Sequence, residues 1–140
     1  MRLIIAVVLV CLGSCANAAS NDRIWDDICW KESRYSPNPK PTKQSIAENA
    51  IGIAQIRPCV IEDCNNWGGH WDLIDRYDPI KSREIFDMYV NHWIKRYKDY
   101  PMEHDELVVR LWNGGPNGPH KSATNRYWED ILKHLKERSK

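Results

Sequence analysis

The 140-residue chain has 20 basic and 19 acidic side chains, five histidines and five cysteines. One ordinary hydrophobic core fills a chain of this length, so two separate cores are excluded. The near-neutral balance lacks the basic excess expected of a nucleic-acid binder or of a protein held to a membrane by a polybasic patch.

Met1-Arg2 gives a short positive start, and Leu3 to Leu12 is apolar almost throughout. This reads as an export signal over 1–18, too short to span a bilayer. Ala16-Asn17-Ala18 fits a small-x-small site with cleavage after Ala18. Leu12-Gly13-Ser14-Cys15 also fits a lipobox, which would leave a lipid anchor on Cys15. Either way residues 19–140 form the mature domain outside the cytoplasm: periplasmic, anchored to an outer membrane, or secreted. No later segment is apolar enough to span a bilayer.

Asn21 or Asp22 can cap a helix running to about Tyr35. Ile24, Ile28 and Glu32 fall at i, i+4 and i+8, beside Trp25 and Cys29, so Glu32 continues the apolar stripe. Ser36 to Pro41 carries three alternating prolines and is extended. Ala50 to Ile56 is a short apolar run around Gly52, either a strand or a tight buried connection. Pro58 to Asn66 reads as a short helix or turn, and Trp67-Gly68-Gly69 as a loop.

Asp78-Pro79 opens a helix with a capping residue and a first-turn proline, and apolar spacing continues to about Tyr97. A further helix covers Asp105 to Asn113, with Leu107, Val108 and Leu111 inward, and Gly114-Gly115-Pro116 stops it. Thr124 or Asn125 can cap a last helix with Trp128, Ile131, Leu132 and Leu135 on one face. The expectation is about five helices and a minimal sheet.

Cys29, Cys59 and Cys64 lie after the signal. One disulfide and one spare thiol are expected in an oxidising compartment, with Cys59–Cys64 the candidate pair and Cys29 with either partner the alternative. These cysteines fit no zinc module, and His70, His92, His104, His120 and His134 are scattered. No nucleophile elbow is present.

A carboxylate facing a packed interior loses hydration and keeps its proton to higher pH, which is what a general acid needs. Glu32 fits that description, although on the helix alone pairing with Lys31 or Arg34 at a helix end is the plainer role. Asn49 to Pro58, Leu111 to Pro116 and Arg126-Tyr127-Trp128 are each unremarkable alone. In this order and at these intervals they resemble the catalytic domain of soluble lytic transglycosylases and goose-type lysozymes. The shared elements are Glu32-Ser33, then Ala50-Ile51-Gly52-Ile53-Ala54-Gln55-Ile56-Arg57-Pro58, then Trp112-Asn113-Gly114-Gly115-Pro116, then Tyr127. Three departures stand out: a longer gap after Glu32, Asn49 in place of glycine, and Trp112 in place of tyrosine.

The resemblance implies a mainly helical lysozyme-like α+β fold with a minimal sheet beside the cleft. It implies cleavage of the bond between N-acetylmuramic acid and N-acetylglucosamine in peptidoglycan glycan strands. Glu32 acts as acid and then as base, giving a 1,6-anhydro product, with no metal or organic cofactor. Ser33, Gln55, Trp112, Asn113 and Tyr127 are implied as substrate-binding residues. Trp67 and Trp71 join Trp112 as candidates for stacking on sugar rings. Asp63, Asp72, Asp75 and Asp78 are candidate second carboxylates, with capping or ion pairing the plainer role. Two alternatives stand beside this reading: hydrolysis of the same bond, and a non-catalytic glycan-binding module that keeps the fold. A monomer is expected.

Overall fold

The computed structural model describes residues 13–140, with side chains from Asp22 onward. The export-signal reading of 1–18, including the lipid anchor on Cys15, lies outside the residues whose side chains are described. Among the described residues six α-helices follow one another: α1 (Gly13–Ser33), α2 (Lys43–Glu48), α3 (Pro58–Asn66), α4 (Pro79–Ile94), α5 (His104–Gly114) and α6 (Asn125–Arg138). Short 3-10 turns cover Leu73–Tyr77, Lys95–Tyr97, Gly118–His120 and Ser122–Thr124. The mainly helical lysozyme-like architecture expected from the sequence is the one observed. No described helix is long and apolar enough to cross a membrane.

Helix α5 is the central element and touches α1, α4 and α6. Its consecutive Leu107, Val108 and Val109, with Leu111 and Trp112, are all buried, so it is wrapped on more than one side. Ile24 and Ile28 of α1, Phe86 and Val90 of α4 and Ile131 of α6 pack in the same core. Each such side chain stabilises the fold by roughly 1.5–3 kcal/mol on burial. Gly118 lets the loop after α5 lie against that helix, because a Cβ there would meet the Arg110 carbonyl oxygen at 1.8 Å.

Helix α4 starts where the Asp78-Pro79 pair places it. The Asp78 carboxylate accepts from the backbone N–H groups of Ile80 at 2.8 Å and Lys81 at 3.2 Å. The α-helix stops at Ile94, and the last turn to Tyr97 tightens to 3-10 geometry. Two other elements depart from expectation. Helix α1 extends back to Gly13, ahead of the expected start at Asn21 or Asp22. Helix α2 was not foreseen; it is held by a reciprocal capping box between Thr42 and Ser45 and has no buried residue, so no apolar periodicity announces it.

The expected sheet shrinks, among the described residues, to a single antiparallel bridge between Ile51 and Ile56. The chain reverses between them through two left-handed residues, Gly52 at φ 81° and Gln55 at φ 52°. Gly52 is irreplaceable on steric grounds as well, since a Cβ would sit 1.8 Å from the carbonyl oxygen of Arg76. Arg76 is itself only 3 % exposed. Its guanidinium donates to the carbonyls of Leu73 at 2.8 Å, Asn49 at 2.7 Å and Ile56 at 3.0 Å. One side chain thereby fastens both ends of the hairpin to the Leu73–Tyr77 turn.

The C-terminal helix is fastened to α1 in a similar way. Buried Asp27 accepts from His134 Nδ1 at 2.6 Å and from Arg138 at 3.0 Å. The His134 ring stacks on Trp30 at 3.8 Å, and the Arg34 guanidinium lies over the same indole at 3.9 Å. Lys31 reaches Asp130 of α6 at 2.6 Å.

The three described cysteines, Cys29, Cys59 and Cys64, are free thiols, so the expected Cys59–Cys64 disulfide is not formed. Both residues lie on continuous helix α3, where a separation of five turns side chains about 140° apart around the axis. Cys59 is therefore exposed while Cys64 points into the core. Cys29 and Cys64 are buried among apolar groups, which pushes each thiol up to about 12.

Candidate active site

A cleft of about 660 Å³ opens between the end of α1, the α2 region, the hairpin and the start of α6. Glu32, Gln55, Trp112, Asn113 and Tyr127, five of the six residues singled out in the sequence as catalytic or substrate-binding, line it together.

Glu32 is half-buried at the last turn of α1, one turn beyond fully buried Ile28. The Tyr127 hydroxyl donates to Glu32 Oε1 at 2.6 Å. Neither basic neighbour in sequence neutralises the carboxylate: Lys31 is bound to Asp130 and Arg34 to Trp30. Burial pushes the Glu32 carboxyl up from 4.5 to about 7 and outweighs the opposing pull of the Tyr127 hydrogen bond, Lys31 and Arg57. Glu48 adds a further upward push by like-charge repulsion. Such a group holds a proton near neutral pH and releases it at little cost, which is the behaviour of a general acid that then serves as a base. Tyr127, packed against the same carboxylate, has its phenol raised well above the usual value by burial and by the Glu32 charge, so it stays a donor.

Gln55 is set by the hairpin. Its left-handed backbone brings its side-chain Nε2 onto the Gly52 carbonyl at 3.0 Å, and its Oε1 accepts no hydrogen bond among the described residues. A non-glycine residue in that conformation costs on the order of 1–3 kcal/mol. Asn113 lies at the end of α5, half-buried, with its side-chain amide unpaired among the described residues. Trp112 is 6 % exposed and packs edge-on against Phe86 and Tyr89, so only a strip of its ring reaches the cleft.

Ser33 is placed differently from the sequence expectation. It does not line the cleft; its buried hydroxyl sits 2.7 Å from the Ile53 carbonyl and 3.0 Å from the Cys29 carbonyl. It ties the hairpin to the end of α1, holding Gln55 near Glu32. Trp67 and Trp71 do not line the cleft either. Trp67 stacks on His92 at 3.6 Å, and both tryptophans pack against the core. The four aspartates proposed as second carboxylates line no part of the cleft. Asp72, Asp75 and Asp78 cap helical turns, and Asp75 also pairs with Lys81 at 2.6 Å.

Sequence reasoning missed the charged residues of the cleft: Lys40, Glu48, Arg57, Arg126 and Asp130. Asp130 and Arg126 flank Tyr127 on α6, one helical turn being the only local signal. Glu48 and Arg57 border the Ala50–Ile56 hairpin, where spacing alone says nothing about direction.

No family model matches the chain. Two curated proteins do. The invertebrate-type lysozyme of Ruditapes philippinarum is 30 % identical over 95 residues, which cover 68 % of each chain. A lysozyme of Ostrea edulis is 28 % identical over 132 residues, covering 92 % of this chain and 90 % of the relative. With a lysozyme-like helical fold and a raised carboxyl in its cleft, the chain belongs to the invertebrate-type lysozyme family.

Proposed function

We propose that the protein cleaves peptidoglycan glycan strands between N-acetylmuramic acid and N-acetylglucosamine, with Glu32 as the proton donor. The observation behind this reading is the Glu32 carboxyl, raised to about 7 in a cleft of sugar-binding size and held by Tyr127 at 2.6 Å. Glu32 protonates the glycosidic oxygen as the bond to the anomeric carbon breaks, and the charge left on Glu32 faces the developing cation. The carboxylate, relieved of its proton, then takes one from the incoming nucleophile. The free Gln55 Oε1 and the unpaired Asn113 amide face the sugar's acetamido and hydroxyl groups, and the Trp112 edge offers an apolar strip.

Water is the nucleophile we favour, because both relatives are named lysozymes. Glu48, on α2 and in electrostatic reach of Glu32, is the further carboxylate available to that water. The motif series from Glu32-Ser33 to Tyr127 favours a second reading, attack by the sugar's own 6-hydroxyl to give a 1,6-anhydro end. Action on a cell wall goes with export, and residues 1–18 are the proposed signal.

Digestion of purified peptidoglycan by the protein and by Glu32→Gln, with the released ends identified by mass spectrometry, tests this. Reducing ends from the parent, and almost no release by the variant, are expected. Anhydro ends would select the second reading. Equal release by both proteins would remove Glu32 from the mechanism, and binding without cleavage would leave a glycan-binding module.

A further inference from the structure

The charges lining the cleft are unevenly spent. Its basic residues are Lys31, Lys40, Arg57 and Arg126, and its acidic residues are Glu32, Glu48 and Asp130. Lys31 and Asp130 neutralise each other at 2.6 Å. Glu32 is largely protonated below neutral pH. Glu48 accepts a hydrogen bond from Gln44 at 3.1 Å. The side chains of Lys40, Arg57 and Arg126 form no ion pair or hydrogen bond with any described residue. Three cations without a salt bridge therefore line the cleft, Arg126 within electrostatic reach of Asp130 and Arg57 within that of Glu32, in a chain whose net charge is only +1. The surplus is local to the cleft and is not the shadow of a basic protein.

Arg57 stands out among the three. It is half-buried, whereas Lys40 and Arg126 are exposed. It sits at the N-cap of α3 immediately before Pro58, so its backbone is held extended at φ −84° and ψ 153°. It acts electrostatically on Glu32 itself. A guanidinium that is partly desolvated and left without a carboxylate is costly unless a ligand supplies one. Its planar fork fits a carboxylate with two parallel hydrogen bonds.

Building on the glycan-cleaving function above, we propose that this cleft selects glycan strands bearing carboxylates, the peptide-substituted strands of peptidoglycan, over neutral strands, with Arg57 as the specificity-determining residue. Lys40 and Arg126 supply the longer-range attraction. A neutral polymer of N-acetylglucosamine leaves all three cations unpaired and gains nothing from them.

The test uses soluble, uncrosslinked peptidoglycan strands and the same strands with their carboxyl groups converted to neutral amides by carbodiimide and ethanolamine. Chain scission is followed by size-exclusion chromatography, and binding by co-sedimentation with whole or amidated sacculi. The full protein should cleave unmodified strands about tenfold more efficiently than amidated ones, the loss expected for one charge-assisted pair, and mostly through KM. The preference should shrink as salt rises. Arg57→Gln should lose most of the preference, and Arg57→Lys should restore part of it. Equal cleavage of both polymers by the parent protein, or an undiminished preference in Arg57→Gln, overturns the proposal. If the parent cleaves neither polymer, the glycan-cleaving reading fails instead. Co-sedimentation then decides the charge preference separately: tighter binding to unmodified sacculi supports it, and equal binding rejects it.

Discussion

Replacing Glu32 by glutamine should abolish glycan cleavage and yet stabilise the fold, by an amount that grows with pH. The folded carboxyl keeps its proton up to about 7, whereas an unfolded chain releases it near 4.5. Between those values the folded state binds more protons, so its stability falls as pH rises through the window and levels off above it. A displacement of this size corresponds to roughly 3 kcal/mol at pH 8. The carboxyl opens on the cleft, where water screens part of the penalty, so about 2 kcal/mol is the expected figure. Glutamine cannot ionise, and its amide oxygen still accepts from Tyr127. The variant should therefore match the parent at pH 4 and exceed it by about 2 kcal/mol at pH 8. Urea unfolding of both proteins at pH 4, 6 and 8, followed by tryptophan fluorescence, measures the difference with all other titrating groups in common. A difference that stays flat across this range, or a variant weaker than the parent at pH 8, would refute the raised carboxyl and with it the proton-donor role.

Two further perturbations probe the scaffold around that group. Tyr127→Phe removes a donor that favours the ionised form of Glu32, so the alkaline limb of the kcat/KM profile should move up by about one pH unit. A downward move would mean that the phenol does not stabilise the charge. Arg76→Met removes the guanidinium bonds to the carbonyls of Leu73, Asn49 and Ile56, of which Ile56 keeps the Ile51 N–H, and should cost about 3 kcal/mol in urea unfolding. A loss below about 1 kcal/mol would show that the hairpin is held by other contacts.

The parts of this molecule legible in the sequence are those written in local patterns. Ile24, Ile28 and Glu32 lie on one helical face, and that spacing already sets a carboxyl against a core. Asp78-Pro79 encodes its own cap. Asn113 and Tyr127 reach the cleft because each follows from helix placement. The misread parts depend on what a side chain meets across the fold. Ser33 follows Glu32 directly, but its hydroxyl turns to the Ile53 carbonyl, a contact between residues 20 apart. Cys59 and Cys64 look close in sequence and become mutually inaccessible once α3 is continuous. Helix α2 buries nothing and so leaves no apolar signature. Lys40 before α2, Arg57 at the N-cap of α3 and Arg126 in the first turn of α6 line one cleft, and no spacing along the chain encodes that convergence.

The cleft residues and the buried polar residues behind them divide the energetic work. The cleft collects features that oppose folding: a carboxyl denied its charge, a left-handed Gln55 and a half-buried guanidinium without a partner. The compensation lies one layer behind. Arg76 binds three carbonyls beneath the hairpin, Ser33 ties that hairpin to α1, and Asp27 locks α6 to α1 through His134 and Arg138. None of these three residues lines the cleft, yet each fixes an element bearing one of Glu32, Gln55 or Tyr127. A hydrogen bond of 2.6 Å between α6 and α1 can tune a proton donor only if the two helices keep their distance. The buried polar residues far from the chemistry are therefore as necessary to it as the cleft residues. Their loss should appear as a loosened Glu32–Tyr127 pair before it appears as a lost fold.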